Sequence, residues 1–176
     1  MNNEILKGIK ERRSARKYKD QQITAEELQT VLEAGTYAPS GRGLQASRIV
    51  AVQDPETVAK LVKMNAAVLG TPDANPYYGA PTIVLVFSPD PADRLTAVED
   101  GSCVLATMML AAHSIGLGSC WIHREREMFE AEEGKALMRE WGLDDTMIGV
   151  GSIALGYVEG KLPGPFPRKK DYYRIV

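Results

Sequence analysis

The sequence predicts one domain of interspersed helices and strands, of the α+β or α/β class. The length of 176 residues fits a single domain, and helical periodicity alternates with short β-branched runs. Apolar residues make up 44% and charged residues 25% of the chain, which is typical of a globular protein and not of a disordered one. We therefore expect a single domain over residues 1–176.

The predicted elements alternate along the chain. In order, they are a helix from Asn3 to about Arg13, a helix over 25–34, a loop over 38–43, a strand over 49–52, a helix that begins at Pro55, a loop over 70–81, a strand over 82–87, a helix over about 95–115, a strand over 119–122, a helix over 126–141 and a strand over 147–157. The last nineteen residues contain three prolines and should be irregular at least as far as Tyr172.

Residues suited to helix starts precede the first three helices. These are Asn3, Thr24 with Glu27 in a capping box, and Asp54 with the following Pro55. Gly35 can end the second helix. The first helix should bury one apolar face, formed by Ile5, Leu6 and Ile9.

The second half of the chain contains the most apolar segments. Residues 82–87 (TIVLVF) form a continuous run, which is typical of a strand covered on both faces. Residues from about 95 to 115 are apolar on nearly all sides of a helix, which indicates a helix buried at the centre. Gly134 lies inside the next helix or marks a break in it. The glycines within 149–156 should permit close backbone packing in the last strand.

Motif searches exclude several kinds of site. His113 and His123 are the only histidines, and no cluster has metal-ligand spacing. Neither a G-x-S-x-G serine turn nor a P-loop is present. Cys103 and Cys120 are expected to be small buried side chains. Without an apolar run long enough for a membrane span or a signal peptide, we expect a soluble cytoplasmic protein.

Basic residues cluster at both ends of the chain. The net charge of −2 argues against a general nucleic-acid-binding protein, but seven of the 21 basic residues fall within thirteen positions. The two clusters are Lys7, Lys10, Arg12, Arg13, Arg16, Lys17 and Lys19, and Arg168, Lys169, Lys170 and Arg174. Such a run is as often a solvated surface as a binding site, so both interpretations remain open.

Residues 12–16 (Arg-Arg-Ser-Ala-Arg) favour an anion site. Guanidinium groups offer paired donors that match phosphate oxygens, and the serine hydroxyl adds another donor. Arg168 and Lys170 could close over the same anion. Composition does not distinguish a nucleotide phosphate from an acidic surface on a partner protein.

Three motifs resemble those of the nitroreductase family of FMN-dependent oxidoreductases. They are Arg-Arg-Ser-x-Arg at 12–16, Ala-Pro-Ser-Gly-x-x-x-Gln at 38–45 and Gly-Leu-Gly-Ser-x-Trp-Ile at 116–122, in the family's order and approximate spacing. The proline-rich tail also fits, and the length matches the family's short members. The resemblance covers essentially the whole chain. It implies an α+β fold with a central, mostly antiparallel sheet flanked by helices, a long buried central helix, and a C-terminal tail exchanged with a partner subunit.

The resemblance also implies a set of FMN-binding residues. The phosphate and ribityl chain would be bound by Arg12, Arg13, Ser14 and Arg16, and the same phosphate would be reached by Arg168 and Lys170 of the tail. A loop from the other subunit, with Pro39, Ser40 and Gly41, would cover the ring, and Gln45 would lie near it. The strand end at Trp121, Ile122 and His123 would lie along the flavin. Core packing explains Trp121 equally well. Family members are homodimers with two flavins at the interface, and the apolar chain end, Ile175 and Val176, is consistent with docking on a partner.

The implied function is a flavoenzyme. NADH or NADPH would pass a hydride to FMN, and a nitroaromatic, quinone or similar flat acceptor would then be reduced at the same face. Because the cofactor carries the chemistry, no catalytic side chain is expected. Gly43 stands where family members often have Asn, which predicts a permissive pocket. Two other hypotheses remain open: a non-catalytic FMN storage or sensor protein, and a module that binds an acidic partner.

Overall fold

Four antiparallel strands form a central sheet, and helices cover both of its faces. The computed structural model describes residues 3–176. The helices are α1 (Glu4–Glu11), α2 (Ala25–Thr36), α3 (Pro55–Leu69), α4 (Ala97–Ser114), α5 (Glu125–Glu130) and α6 (Glu132–Glu140), and the strands are β1 (Arg48–Val52), β2 (Thr82–Ser88), β3 (Gly118–Ile122) and β4 (Ile148–Gly156). The strand order β1-β2-β4-β3 and the antiparallel pairing confirm the predicted α+β class.

The strand β2 lies at the centre of the core. All seven of its residues are buried, as its continuous apolar run predicts. Ile83, Leu85 and Phe87 pack into a cluster that includes side chains of α3, α5 and α6. Val84 and Val86 pack on the opposite face, with α2 and α4. The alternation follows from the period of two residues in a strand.

The predicted helix caps are confirmed. The Asn3 side chain accepts from the N–H three residues on over 2.9 Å, and Asp54 does the same over 2.8 Å. Thr24 and Glu27 form both hydrogen bonds of a capping box. These contacts satisfy N–H groups that the first turn of a helix leaves unpaired.

The prediction that α1 buries Ile5, Leu6 and Ile9 is wrong for the single chain. None of its described residues is buried, and Ile5 and Ile9 are 74% and 52% exposed. The helix instead lies against α4 near Gly8, so its apolar face points away from the core. It also ends at Glu11, because the backbone of the next residue, Arg12, is not helical, with a φ of −53° and a ψ of 133°.

Gly35 does not end its helix as predicted, whereas Gly134 lies inside a helix, which is one of its two predicted positions. Gly35 lies inside α2, where a Cβ would come within 2.7 Å of the Met108 side chain, so its size lets α2 pack closely on α4. The break between α5 and α6 is at Ala131, which has an extended backbone. Gly134 lies within α6, where a Cβ would collide with the Met128 carbonyl.

The helix α4 is buried mainly on the side facing the sheet and α2. Val98 and Ala106 are exposed, so the prediction of burial on nearly all sides is wrong for the single chain. Cys120 is buried as expected, whereas Cys103 is partly exposed. No helix in the described chain is long and apolar enough to cross a membrane.

The tail after β4 has no helix or strand, in agreement with its prolines. Every residue from 163 to 176 is exposed, including the apolar Ile175 at 89%. Exchange of this tail with a partner subunit stays a prediction.

Candidate functional site

The basic segment of residues 12–19 lies along the β3 edge of the sheet. Ser14 forms a parallel bridge with Ser119 in β3, and the next N–H along the chain donates to the Ser119 carbonyl over 3.0 Å. Two more backbone hydrogen bonds, of 3.0 and 2.9 Å, join Lys17 and Lys19 to the chain that follows β4. The predicted phosphate-binding motif is therefore held in place by main-chain pairing.

Several buried polar side-chain atoms of this region have no hydrogen-bond partner. Arg12 Nη1, Arg13 Nε and the Ser119 hydroxyl are buried and unpaired among residues 3–176. Arg13 Nη1 does donate to the Lys10 and Arg12 carbonyls, both over 2.7 Å, so part of its guanidinium is committed to the backbone. Buried unpaired polar atoms are rare in proteins, and a group containing two guanidinium nitrogens fits an anion such as phosphate.

Ser14 and Arg16 line a cavity of about 230 Å³ between the basic segment and the start of the tail. Its other lining residues are Lys17, Val158, Glu159, Lys161, Leu162 and Pro163. The Arg16 guanidinium carbon lies 6.0 Å from the centre of the Tyr78 ring. Burial raises the pKa of the nearby Cys120 thiol, while the charges of Arg16 and Arg12 and a hydrogen bond with Ser14 oppose that rise. Arg12, Ser14 and Arg16 therefore share one small region.

A buried ion pair holds the loop of residues 39–45. Arg94 Nη2 lies 2.8 Å from Asp100 Oδ2, and the two side chains are only 14% and 8% exposed. The Gly41 N–H donates to Asp100 over 2.8 Å, and Arg94 donates to the Gly41 carbonyl over 2.7 Å. Burial opposes ionisation of Asp100, but the Gly41 and Arg94 contacts hold its pKa below the ordinary value. The loop is thus fixed to the start of α4.

The same loop borders a second cavity, of about 140 Å³. Ser40, Gln45 and Asp100 contribute polar groups to it, and the Ser40 hydroxyl accepts from the Gln45 N–H over 3.0 Å. Pro39 is exposed beside it. This cavity shares no lining residue with the cavity at Ser14. Within one chain, the two predicted halves of the site are therefore separate.

The predicted ring-binding residues lie at the end of β3. Ile122 is buried, Trp121 is half-buried and His123 is exposed. Trp121 packs against α4 side chains, and its indole covers Gly151, where a Cβ would come within 2.8 Å of Nε1. Core packing of Trp121 is thus present, and a flavin contact by its remaining surface stays a prediction.

A buried polar network behind this strand end was not predicted. Asn65 Nδ2 donates to the His123 carbonyl over 3.1 Å, and Arg124 Nε donates to Asn65 Oδ1 over 2.8 Å. The Tyr77 hydroxyl donates to Glu125 Oε1 over 3.1 Å, and Ser152 donates to the same oxygen over 2.5 Å. In the sequence, the one feature that could have indicated this network is the polar Asn65 among apolar residues of α3.

Glu125, the acid of this network, has a raised pKa. It is 1% exposed, and burial raises its pKa to about 7 against the hydrogen bonds from Ser152 and Tyr77. Its second oxygen, Oε2, is buried without a partner. Burial thus favours the neutral form of Glu125, so the pKa of this carboxyl lies well above that of an ordinary glutamate.

The tail residues Arg168 and Lys170 are exposed and make no hydrogen bond or ion pair in the described part of the chain. The structure brings Arg12, Ser14 and Arg16 together, but it does not bring the tail cations to them. Among residues 3–176, no group of histidine, cysteine or acidic side chains is arranged to hold a metal ion.

Comparisons with known proteins agree with the geometry. The model of the Nitroreductase family matches residues 9–157, which contain all three sequence motifs. A solved nitroreductase with bound FMN from Bacteroides fragilis is 32% identical, with a TM-score of 0.90, over 99% of this chain and 100% of that one. Another, from Desulfitobacterium hafniense, is 28% identical, with a TM-score of 0.88, over 100% of both chains.

A relative from Archaeoglobus fulgidus, provisionally named NADH dehydrogenase/NAD(P)H nitroreductase, is 30% identical over 97% of this chain and 90% of its own length. The family model covers residues 9–157, and the Archaeoglobus relative and the two solved structures cover 97% or more of the chain. The first of the three sequence motifs lies in the basic segment, which pairs with β3. The chain therefore belongs to the nitroreductase family of oxidoreductases.

Proposed function

We propose that the protein binds FMN and transfers electrons from NADH or NADPH to a flat conjugated acceptor such as a nitroaromatic or a quinone. The unpaired buried nitrogens of Arg12 and Arg13, beside Ser14 and Arg16, carry this proposal. A phosphate monoester would accept from these donors and offset their charge. The Bacteroides and Desulfitobacterium nitroreductases contain bound FMN, which supports FMN as the source of that phosphate.

The isoalloxazine ring is assigned to the end of β3. Trp121 and Ile122 would supply apolar surface, and the main chain at His123 would supply polar groups for the rim. This strand begins beside the basic segment, since Ser14 pairs with Ser119. One strand therefore links the proposed phosphate and ring positions.

A homodimer would complete the site. Pro39, Ser40, Gly41 and Gln45 belong to a loop whose cavity is separate from the cavity at Ser14 in one chain. We propose that this loop covers the flavin of the partner subunit. Arg168 and Lys170, on an exposed tail, would reach the phosphate through tail exchange.

When bound, FMN supplies the redox chemistry by accepting a hydride and returning electrons to a second substrate. The protein's own residues would bind the phosphate, orient the ring and cover one face. Gly43 has a φ of +66° and open space where a side chain would be, so the loop leaves room for acceptors of different shapes.

The purified protein should absorb visible light as a flavoprotein, and NADH or NADPH should bleach it without any acceptor. A nitroaromatic or quinone should then restore the colour. Because both substrates would use the same open face, double-reciprocal plots should be parallel, as in ping-pong kinetics. Intersecting lines would contradict the shared face, and a flavin that neither nucleotide bleaches would favour a storage or sensor protein.

A further inference from the structure

Asn65 is a polar residue in an apolar part of α3. Its side chain is fully buried, as is Leu61 one turn earlier. A buried amide is destabilising when its hydrogen bonds are not made, and an apolar side chain of similar shape avoids that penalty. The bonds that Asn65 makes therefore indicate its role.

Both ends of the Asn65 amide bind the same turn. Nδ2 donates to the His123 carbonyl over 3.1 Å, and Oδ1 accepts from Arg124 Nε over 2.8 Å. The carbonyl only accepts and the guanidinium only donates, so these partners fix the orientation of the amide. Nδ2 also lies 3.4 Å from the Tyr77 hydroxyl and 3.2 Å from the Met128 sulfur. Asn65 thus ties α3 to the two residues that connect β3 with α5.

The turn has a conformation that needs such support. Arg124 has a φ of +91° and a ψ of 4°, in the left-handed region that favours glycine. Residues persist there when surrounding contacts determine the backbone. The bond from Arg124 to Asn65 is one such contact, and the burial of Glu125 beneath the turn is another.

The Asn65 contact also sets the direction of one peptide group. No described peptide bond is cis, so the His123 carbonyl and the Arg124 N–H lie in one peptide plane and point in opposite directions within it. Because the carbonyl points to Asn65, the N–H points away from α3. This N–H has no protein acceptor among the described residues. It is a main-chain donor presented at the end of β3.

We propose that Asn65 is a positioning residue that holds the His123–Arg124 peptide so that its N–H faces the rim of the flavin ring. The inference rests on the proposed function, because it takes the FMN site at the end of β3 as given. Asn65 lies behind the turn and would not touch the cofactor. Its effect would be on FMN affinity and on the surroundings of the ring.

Two substitutions separate the bonds of Asn65. Asn65→Asp keeps an oxygen for Arg124 but removes the donor to the His123 carbonyl, and Asn65→Leu removes both contacts. Tyr77→Phe is the control, since it removes a hydroxyl from the same buried network and leaves the turn contacts intact. FMN Kd is measured by flavin fluorescence, the ring environment by visible absorption, and folding by circular dichroism and Tm.

Both Asn65 variants should bind FMN about tenfold more weakly, a factor typical of one lost oriented hydrogen bond, and should shift the flavin absorption bands. Tyr77→Phe should keep FMN Kd within about twofold of wild type, whatever its Tm. Folded Asn65 variants with the wild-type Kd and spectrum would overturn the proposal. An equal loss of affinity in Tyr77→Phe would also overturn it, because the effect would then belong to general packing.

Hydrogen exchange on the wild-type protein gives a test that needs no variant. Adding FMN to FMN-free protein should slow the exchange of backbone N–H groups in the segment 121–126. Unchanged exchange despite FMN binding would refute the proposal that this turn lies at the rim of the flavin ring. A wild-type protein that takes up no FMN at all would refute the proposed function, and this inference with it.

Discussion

Arg16 and Lys19 are two cations of the basic segment with different surroundings. Arg16 lines the cavity beside Ser14, whereas Lys19 is exposed and does not line it. If Arg16 binds the phosphate, Arg16→Ala removes a charge-assisted hydrogen bond of about 1.5–3 kcal/mol, which weakens FMN binding roughly ten- to a hundredfold. Arg16→Lys should recover part of the affinity, because a point charge replaces a paired donor.

Lys19→Ala is the matched control for Arg16→Ala and should leave FMN Kd nearly unchanged. Lys17 is less suitable, because it lines the same cavity and pairs with Glu159 over 3.0 Å. Equal losses in the Arg16 and Lys19 variants, measured by fluorescence titration, would indicate a diffuse electrostatic effect.

Glu125 should make stability depend on pH. Its folded pKa of about 7 lies above the ordinary 4.5, so its contribution to stability is fully present below pH 4.5 and is lost as pH rises through 7. Once the pH is well above 7, the full loss is about 3–4 kcal/mol, from a rise of about 2.5 pKa units at about 1.36 kcal/mol per unit. Glu125→Gln should therefore be more stable than wild type at pH 8 and gain nothing at pH 4.5, as measured by urea unfolding. The exposed Glu127→Gln is the control, and parallel wild-type and Glu125→Gln profiles would contradict the assignment.

The residues of the buried network could not be predicted from the sequence for a physical reason. Asn65 is 58 residues from His123, and Glu125 is 27 residues from Ser152. Neither distance corresponds to a periodicity within one helix or strand. In contrast, Arg12, Ser14 and Arg16 lie in one short motif, and that motif predicted the region where the structure brings them together.

At the scale of secondary structure, local signals predicted most elements and tertiary contacts decided the exceptions. The caps at Asn3, Thr24 and Asp54 act within one turn, so the sequence alone was sufficient. The roles of Gly35 and Gly134 depend on side chains or backbone from another helix, which no local pattern contains.

The loop of residues 39–45 should depend on the ion pair that holds it. Asp100→Ala removes the acceptor for Gly41 and leaves the Arg94 charge buried without its partner, which is destabilising by about 3–5 kcal/mol. Trypsin should then cleave after the exposed Arg42 faster than in wild type. Glu99→Ala, at an exposed acid next to Asp100 in α4, is the control. Unchanged cleavage in Asp100→Ala would mean that other contacts hold the loop.

For the whole molecule, exposed apolar surface supports the proposed dimer. Ile5 and Ile9 of α1 and the end of the tail are uncovered in the single chain. We expect dilution to dissociate the dimer and release FMN together, as measured by light scattering and fluorescence. Deleting residues 163–176 should weaken both. A monomer that retains FMN at low micromolar concentration would contradict the proposed assembly.

The pairing of the basic segment has a consequence for the order of folding during synthesis. Ser14 pairs with Ser119 and Lys19 with Tyr157, so this segment leaves the ribosome well before its partners, which lie in the last third of the sequence. Until then, the arginines have no fixed positions, and the edge of β3 is uncovered when it forms. Like charges along the segment would keep it solvated during this delay. A nascent chain should therefore gain its anion site and lose its open sheet edge in the same late step.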